Sequence, residues 1–343
     1  MENLDLHKEL EAFVEAIDTF PASEEKSKFY SIERIGAEKE LKIIEEFFHE
    51  DQYKKILQLI IKSEEAIRLC KLGTLEAGYQ EFQSVDKEAK ILSKDAYQYV
   101  RLYFLSGLAY YFYKKGDFDR ALQYTWKEIE EIENLEIKGL TILHFRRVGH
   151  IGNAIKILYT SGQIEPTITL ALGNFLYSIN GNKVLMPTGV WNPELLNHIP
   201  YIRQRYIDIS FLNIIEMTLD KHADSIYDND FFNRQVFKMI PEFEVTNNNL
   251  AMIHNWLYLQ KLYYQKDYQK FIINLIEYCK EPFDCTFDIL KLSHLSKIIL
   301  LIKIAKMNNN FKNMANPKLN NYIQRKLMSK QLIKEKICHS IFE

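Results

Sequence analysis

The sequence predicts an all-α protein built from stacked antiparallel helical hairpins. Apolar residues recur three and four positions apart along nearly the whole chain, which is the spacing of a helix with one buried face. Twelve glycines and eight prolines are few for 343 residues, and these two residues mark the turns of β-rich folds. Alternation of apolar and polar residues is not sustained in any stretch, so we expect no strands.

Four apolar stripes predict helices in order along the chain, and each stripe stops at a residue that ends helices. The first stops before Pro21, whose ring blocks a continuing helix, and the others stop at glycines. Helices that end at tight turns reverse direction, so we expect neighbours to pair as hairpins. In order, the stripes and their stops are Leu6, Leu10, Phe13, Val14 and Ile17 before Pro21; Ile56, Leu59, Ile60, Ala66, Ile67 and Leu69 before Gly73; Val100, Tyr103, Phe104, Leu108 and Tyr111 before Gly116; and Ile151, Ile155 and Leu158 before Gly162.

Residues 105–125 carry the clearest repeat. Ala109 is small where two antiparallel helices would cross closely, and Gly116 can end the first helix with a positive φ. Asp117 can cap the second helix by accepting a backbone N–H, and Ala121 lets that helix pack tightly on the first. The stretch resembles a tetratricopeptide repeat, which implies an α-solenoid of paired helices. The resemblance is carried by Leu105, Leu108, Ala109, Phe112, Gly116, Asp117, Phe118 and Ala121.

Weaker copies of this repeat surround Gly73 and Gly162, and a further one spans residues 262–271. The turn glycines are 43 residues apart from Gly73 to Gly116 and 46 apart from Gly116 to Gly162. The repeat of the resembled family is about 34 residues long. Lengthened helices or loops, or another subtype of hairpin solenoid, would account for the difference, and both remain open.

Residues 180–193 break the helical pattern. Two prolines and two glycines interrupt any helix there, yet several neighbours are too apolar for a free linker. We expect an ordered connecting loop between an amino-terminal array, residues 1–179, and a carboxyl-terminal array, residues 194–343, with a basic tail. Such a loop either takes part in function or is a packed connection between helical layers.

Composition indicates a water-soluble chain. Hydrophobic residues make up 47% and charged residues 26%, and the apolar run at residues 298–302 is far shorter than a membrane span of roughly 20 residues. The acidic amino terminus lacks the features of a secretory signal, and the four cysteines have no zinc-like spacing. We therefore expect a cytoplasmic protein with no membrane contact, no cofactor and no metal.

The leading functional hypothesis is a scaffold or adaptor that binds a protein or peptide, including a regulator that responds to a peptide. The sequence has no Gly-rich phosphate loop and neither a GxSxG nor an HExxH motif, so an enzyme is not favoured. In the resembled family the first helix of each hairpin lines a concave groove. Position in the repeat then assigns to that groove Tyr103, Tyr110, Tyr113, Lys114, Asn153, Lys156 and Tyr159.

Arg146 and Arg147 complete the predicted partner-binding set. They lie with His144 and His150 in a dense basic cluster, which would suit a carboxylate or a phosphate. Tyrosines suit an extended peptide because their rings bury a large area at low entropy cost while the hydroxyl fixes orientation. The competing interpretation is that the tyrosines pack between neighbouring hairpins and that the basic cluster forms ordinary surface pairs.

Two other functions and one assembly remain open. A helical enzyme would place its site near residues 144–156 and the 180–193 loop. Residues 297–336 contain ten Lys/Arg and one Glu, whereas residues 1–60 contain fifteen Asp/Glu and eight Lys/Arg. The basic tail would suit nucleic acid, which is the less favoured partner. The opposite charges of the two ends would suit a head-to-tail homo-oligomer.

Overall fold

The computed structural model describes residues 2–24, 29–222, 243–282, 284–327, 334, 335 and 337. Every regular element in these residues is helical, apart from one isolated bridge between Glu24 and Asp284, so the predicted all-α class is confirmed. Across the same residues, no helix has both the length and the apolar run that crossing a membrane requires. The α-helices are α1 Glu2–Ala16, α2 Phe29–Phe47, α3 Glu50–Lys71, α4 Leu75–Ala89, α5 Lys94–Lys114, α6 Phe118–Ile137, α7 Leu143–Thr160, α8 Ile164–Asn180, α9 Pro200–His222, α10 Asn248–Tyr264, α11 Tyr268–Lys280, α12 Asp288–Ile304 and α13 Asn309–Asn321. Short 3₁₀ helices span Ile17–Thr19, Pro193–His198 and Cys285–Phe287, and a π-helical turn spans Tyr322–Lys326.

The chain forms two compact units. One contains residues 30–210, and we call it the hairpin unit. The other combines residues 1–29 with residues 211–343, and we call it the terminal unit. This grouping differs from the division at residues 180–193 that the sequence suggested, because the loop lies inside the hairpin unit and the two ends of the chain belong together.

The helices of the hairpin unit pack in the order of the sequence. α3 pairs with α4, α5 with α6 and α7 with α8, and α4 also contacts α5 while α6 contacts α7. α3 packs on α5 as well, so the first helices of these two pairs lie side by side. The prediction of sequentially packed antiparallel helices is therefore confirmed.

A glycine ends the first helix of each pair. Gly73, Gly116 and Gly162 follow α3, α5 and α7 with φ values of 90°, 75° and 81°, a left-handed conformation that glycine adopts without steric cost. Asp117 then caps α6, because its Oδ1 accepts the backbone N–H of Arg120 at 3.1 Å. The turn at Gly116 and the cap at Asp117 were both predicted from the sequence.

Replacing Gly78 by alanine is expected to destabilise the hairpin unit by roughly 1–2 kcal/mol. The added Cβ would overlap Cys70 Sγ and would lie 2.7 Å from the Ala66 carbonyl oxygen, both on α3, so the crossing of α3 and α4 would have to open. Gly152→Ala on α7 is the matched control, because no described atom lies within 4 Å of its added Cβ. The control should raise stability by up to about 1 kcal/mol. Urea denaturation measures both, and equal effects would contradict the close crossing.

The acidic amino end and the basic carboxyl end meet within the terminal unit. α1 packs on α11 and α13, and Lys318 of α13 forms an ion pair with Asp18 at 2.6 Å. The Lys326 ammonium donates to the Phe20 carbonyl at 2.8 Å, and the backbone N–H of Ser23 donates to the Lys326 carbonyl at 2.9 Å. Opposite charges at the two ends thus attract each other inside one chain. A homo-oligomer formed through these ends stays a prediction.

Candidate functional site

An open groove of about 370 Å³ lies along the first helices of the three pairs in the hairpin unit, and Thr125 of α6 also borders it. α5 contributes Ser106, Ala109, Tyr110 and Tyr113, whose spacing of three or four residues places them on one helix face. Ser106 and Ala109 have short side chains, which leave open volume bordered by the two tyrosines. The volume falls within the range of ligand-binding clefts, roughly 300–1,000 Å³.

α3 and α7 contribute the remaining charged and apolar borders of the groove. Ile67 and Lys71 come from α3 and are four residues apart, so they share a face. Asn153, Lys156 and Ile157 come from α7 with the same kind of spacing. Each first helix therefore presents one stripe to the groove.

Three of these residues occupy equivalent positions in their helices. Ile67, Tyr110 and Lys156 each lie six residues before the glycine that ends the helix. Because this position meets the groove in all three pairs, the pairs present the same face to it. The register of the repeat thus decides which residues border the open volume.

Lys71 and Lys156 are the charged residues that border the groove. Both are exposed, and neither forms an ion pair with a residue in the described part of the chain. Among the residues that the structure describes, no aspartate or glutamate borders the groove. The groove therefore carries positive charge that no bordering side chain neutralises.

Neighbouring side chains fix the polar groups of the groove. The Asn153 amide nitrogen lies 3.1 Å from His150 Nδ1, and His150 Nε2 lies 2.9 Å from a Glu128 carboxylate oxygen. The Tyr113 hydroxyl lies 3.2 Å from the Thr160 hydroxyl. These contacts hold the amide and the phenol in place before any ligand arrives, which lowers the entropy cost of binding.

Tyr103 and Arg146 do not border the groove and lie in a cluster of charged and phenolic groups. The Arg146 guanidinium is 4.0 Å from the Tyr103 ring centroid, and the Tyr103 hydroxyl donates to Glu40 at 3.3 Å. Burial opposes the charge of Arg146, but Tyr103, Glu40 and Glu128 outweigh burial and hold the pKa of the guanidinium above its ordinary value. Burial also raises the pKa of the Tyr103 hydroxyl. Both residues thus have partners inside the fold.

Arg147 is fully buried and ties the loop that follows α8 to α6. Its guanidinium pairs with Glu133 at 2.7 Å and with Glu136 at 3.2 Å, both on α6. It also donates to the Val190 carbonyl at 2.7 Å and lies 4.0 Å from the Trp191 ring centroid. Arg147 therefore has its partners inside the fold and does not border the groove.

The structure brings four of the nine predicted partner-binding residues to the groove and places the other five elsewhere. Lys114 is exposed at the end of α5, with its ammonium 5.8 Å from the Tyr110 ring centroid. Tyr159 is half-buried on α7 and does not border the groove. The four residues that border it are Tyr110, Tyr113, Asn153 and Lys156.

Sequence reasoning missed the α3 side of the groove, Ile67 and Lys71. A signal was available, because Ile67 precedes Gly73 by the same six residues that separate Tyr110 from its turn glycine. Ser106 carried no comparable signal, since a small residue beneath a groove and a small residue at a helix crossing look alike in sequence.

His144, which belongs to the alternative enzyme site, has its partners within the fold. His144 Nε2 lies 2.7 Å from the Tyr177 hydroxyl, and His144 Nδ1 lies 3.3 Å from Glu136. Among the described residues, no group of three or more His, Cys, Asp or Glu side chains is placed to hold a metal ion. A catalytic role for residues 144–156 with the 180–193 loop stays a prediction.

The basic tail lies only partly within the described residues. Lys318 and Lys326 bind the amino-terminal segment, and the Lys334 ammonium donates to two backbone carbonyls at 2.9 Å and 3.0 Å. Lys330 and Lys336 lie outside the described residues. Nucleic-acid binding by the tail stays a prediction.

The fold and the groove define an all-α protein of sequentially packed antiparallel helices, with an open cleft along the first helices of three pairs. No protein-family model, no curated protein and no solved structure matches the chain. Its function therefore has to be inferred from the groove.

Proposed function

We propose that this protein is a non-catalytic scaffold or adaptor that binds a protein or peptide in the groove of a tetratricopeptide-like helical array. The observation that carries the proposal is the shared register of Ile67, Tyr110 and Lys156 along the groove. Stacked repeats turn equivalent residues toward the same side, which creates an extended binding surface. An open volume of ligand size lies on that side.

Helix length supports the resemblance despite the long spacing between turns. α4 and α5, of 15 and 21 residues, lie between Gly73 and Gly116, and α6 and α7, of 20 and 18 residues, lie between Gly116 and Gly162. Together with their connecting turns, these helices account for turn spacings of 43 and 46 residues. The chain is thus consistent with a lengthened form of the hairpin repeat.

The groove also offers the groups that an extended peptide needs. The Tyr110 and Tyr113 rings supply apolar area, and the Asn153 amide can bond a peptide backbone group. A peptide that leaves water must replace the hydrogen bonds of its backbone, so fixed polar groups beside apolar surface favour this class of ligand.

A display library of random peptides, panned on the full chain, tests this proposal. The enriched peptides should bind the double variant Tyr110→Ala with Tyr113→Ala at least about tenfold more weakly than the wild type, because the rings that border the groove are removed. Tyr258→Ala is the control, since this tyrosine is 45% exposed on α10 of the terminal unit. The control should leave affinity unchanged.

Two results would contradict the proposal. One is the failure of panning to enrich any peptide. The other is equal affinity of the enriched peptides for the wild type and for the double variant, with circular dichroism showing that the variant keeps its helices.

A further inference from the structure

We infer that the groove accepts an acidic peptide segment in which carboxylates flank an apolar side chain. This inference rests on the proposed function and gives the chemistry of the partner. Lys71 of α3 and Lys156 of α7 each face a carboxylate, and the apolar side chain lies against Ile67, Ala109 and Ile157.

The two groove lysines lack the ion-pair partners that some other lysines of the hairpin unit have. Lys115 at the end of α5 pairs with Glu76 at 2.9 Å, and Lys138 after α6 pairs with Asp95 at 2.6 Å. Lys71 and Lys156 form no such pair within the described residues. A ligand without a carboxylate that covers these lysines would desolvate two ammonium groups and would not supply an opposite charge to compensate.

The groove differs in charge from the hairpin unit as a whole. Residues 30–210 contain 23 Lys/Arg and 24 Asp/Glu, a formal charge of −1. In the described part of the chain, the groove borders contain two lysines and no acid. The nearby Glu128 is 1% exposed and contacts His150 at 2.9 Å, so it does not neutralise them. Positive charge is therefore concentrated where the open volume lies.

The apolar borders of the groove favour a peptide over a polyanion. Ile67, Ala109 and Ile157 give the groove an apolar border that a phosphate backbone cannot use. Tight binding to nucleic acid commonly uses about six or more phosphate contacts, whereas two cations on a unit of slightly negative charge supply few. An acidic peptide satisfies both features, because carboxylates and apolar side chains can alternate along one extended strand.

Fluorescence anisotropy with four labelled octapeptides tests the inference on the full chain. Three share the same apolar residues and fill the remaining positions with glutamate, with lysine or with serine; the fourth keeps the glutamates and replaces the apolar residues by alanine. The acidic apolar peptide should bind at least about tenfold more tightly than each of the others.

Charge reversal gives the matched pair of variants. Lys71→Glu with Lys156→Glu should weaken the acidic apolar peptide by at least about tenfold and should strengthen binding of the lysine peptide. Lys87→Glu with Lys127→Glu changes the net charge equally at exposed lysines of α4 and α6 that do not border the groove. This control should preserve the preference for the acidic peptide.

The outcomes distinguish the inference from the function on which it rests. If the serine or lysine peptide binds best, and that binding is lost in Tyr110→Ala, the groove binds peptides and the acidic assignment is wrong. If no peptide binds, or if Tyr110→Ala leaves binding unchanged, the groove is excluded as a peptide-binding site, and the proposed function is wrong. A short single-stranded oligonucleotide gives one further test. The inference would also be overturned if the oligonucleotide displaced the labelled peptides, bound more tightly than every peptide, and lost its binding in the Lys71→Glu with Lys156→Glu variant.

Discussion

Arg147→Met is expected to lower the free energy of unfolding of the hairpin unit by about 3–5 kcal/mol. The guanidinium is fully buried between Glu133 and Glu136 of α6 and the Trp191 ring. Methionine fills much of the same volume but leaves two carboxylates without their cation. The bond to the Val190 carbonyl is also lost, so the loop after α8 should separate more readily from α6, to which the Val190 N–H still donates at Glu133.

Two measurements check this prediction. Urea denaturation gives the free energy, and the rate of trypsin cleavage after the exposed Lys183 reports whether the loop has separated. Arg68→Met is the control, because the side chains of Arg68 and its partner Glu65 are 59% and 48% exposed. Such a pair contributes less than about 1 kcal/mol. Equal losses of stability from the two substitutions, or an unchanged cleavage rate, would contradict the role assigned to Arg147.

Features with local causes were the ones that the sequence predicted correctly. A helix-ending glycine such as Gly116 and the Asp117 cap act within a few residues of their own position, so the pattern around them is sufficient. The pairing of Lys318 with Asp18 joins residues 300 positions apart. Their opposite charges were visible, but charge alone does not decide whether the partner belongs to the same chain or to a neighbour.

Tyr103 and Tyr110 show why only part of the site could be predicted. They are seven residues apart on α5, which places them on nearly the same face, and repeat position assigned both to the groove. Only Tyr110 borders it, because the Tyr103 hydroxyl donates a hydrogen bond to Glu40 of α2. Glu40 lies 63 residues before Tyr103 in the chain. A contact between residues so far apart in the chain produces no periodic pattern in the sequence.

The two arginines of α7 illustrate the same limit. Arg146 and Arg147 are adjacent, so the helix turns them about 100° apart toward different partners. The acids that receive them come from α6 and α2 and are spread over several helical turns. A basic cluster read along the chain therefore suggested a surface for a carboxylate ligand, whereas the fold supplies the carboxylates itself.

Lys297→Met is expected to stabilise the terminal unit at pH 7 by about 2–4 kcal/mol. Burial lowers the pKa of the Lys297 ammonium to about 7. Among the described residues, its hydrogen bond is to the Ser293 carbonyl at 3.1 Å, and the Tyr263 ring centroid lies 5.6 Å away. No described carboxylate pairs with it. Methionine keeps the unbranched stem and removes the charge that folding has to desolvate.

The gain should depend on pH in a defined direction. Below pH 7 both states of the wild type carry the proton, so the folded state bears the whole cost of the buried charge. Between a folded pKa of about 7 and the ordinary value of 10.5, the unfolded state binds more protons, and wild-type stability rises with pH. The advantage of methionine should therefore shrink as pH rises from 7 toward 10. Burial, and then Lys297, lower the pKa of His294 well below its ordinary value, so His294 titrates outside this window.

Urea denaturation of wild type and Lys297→Met at pH 7 and pH 9.5 measures the effect as a difference between the two proteins. The burial that lowers the pKa of Lys291 affects both proteins and cancels in that difference. Lys303→Met on the same helix is the control and should give a small difference that does not change with pH. The prediction would be contradicted if the difference in the free energy of unfolding between Lys297→Met and the wild type were the same at both pH values, or if the variant were less stable at pH 7. Either result would show that burying this ammonium does not cost folding free energy.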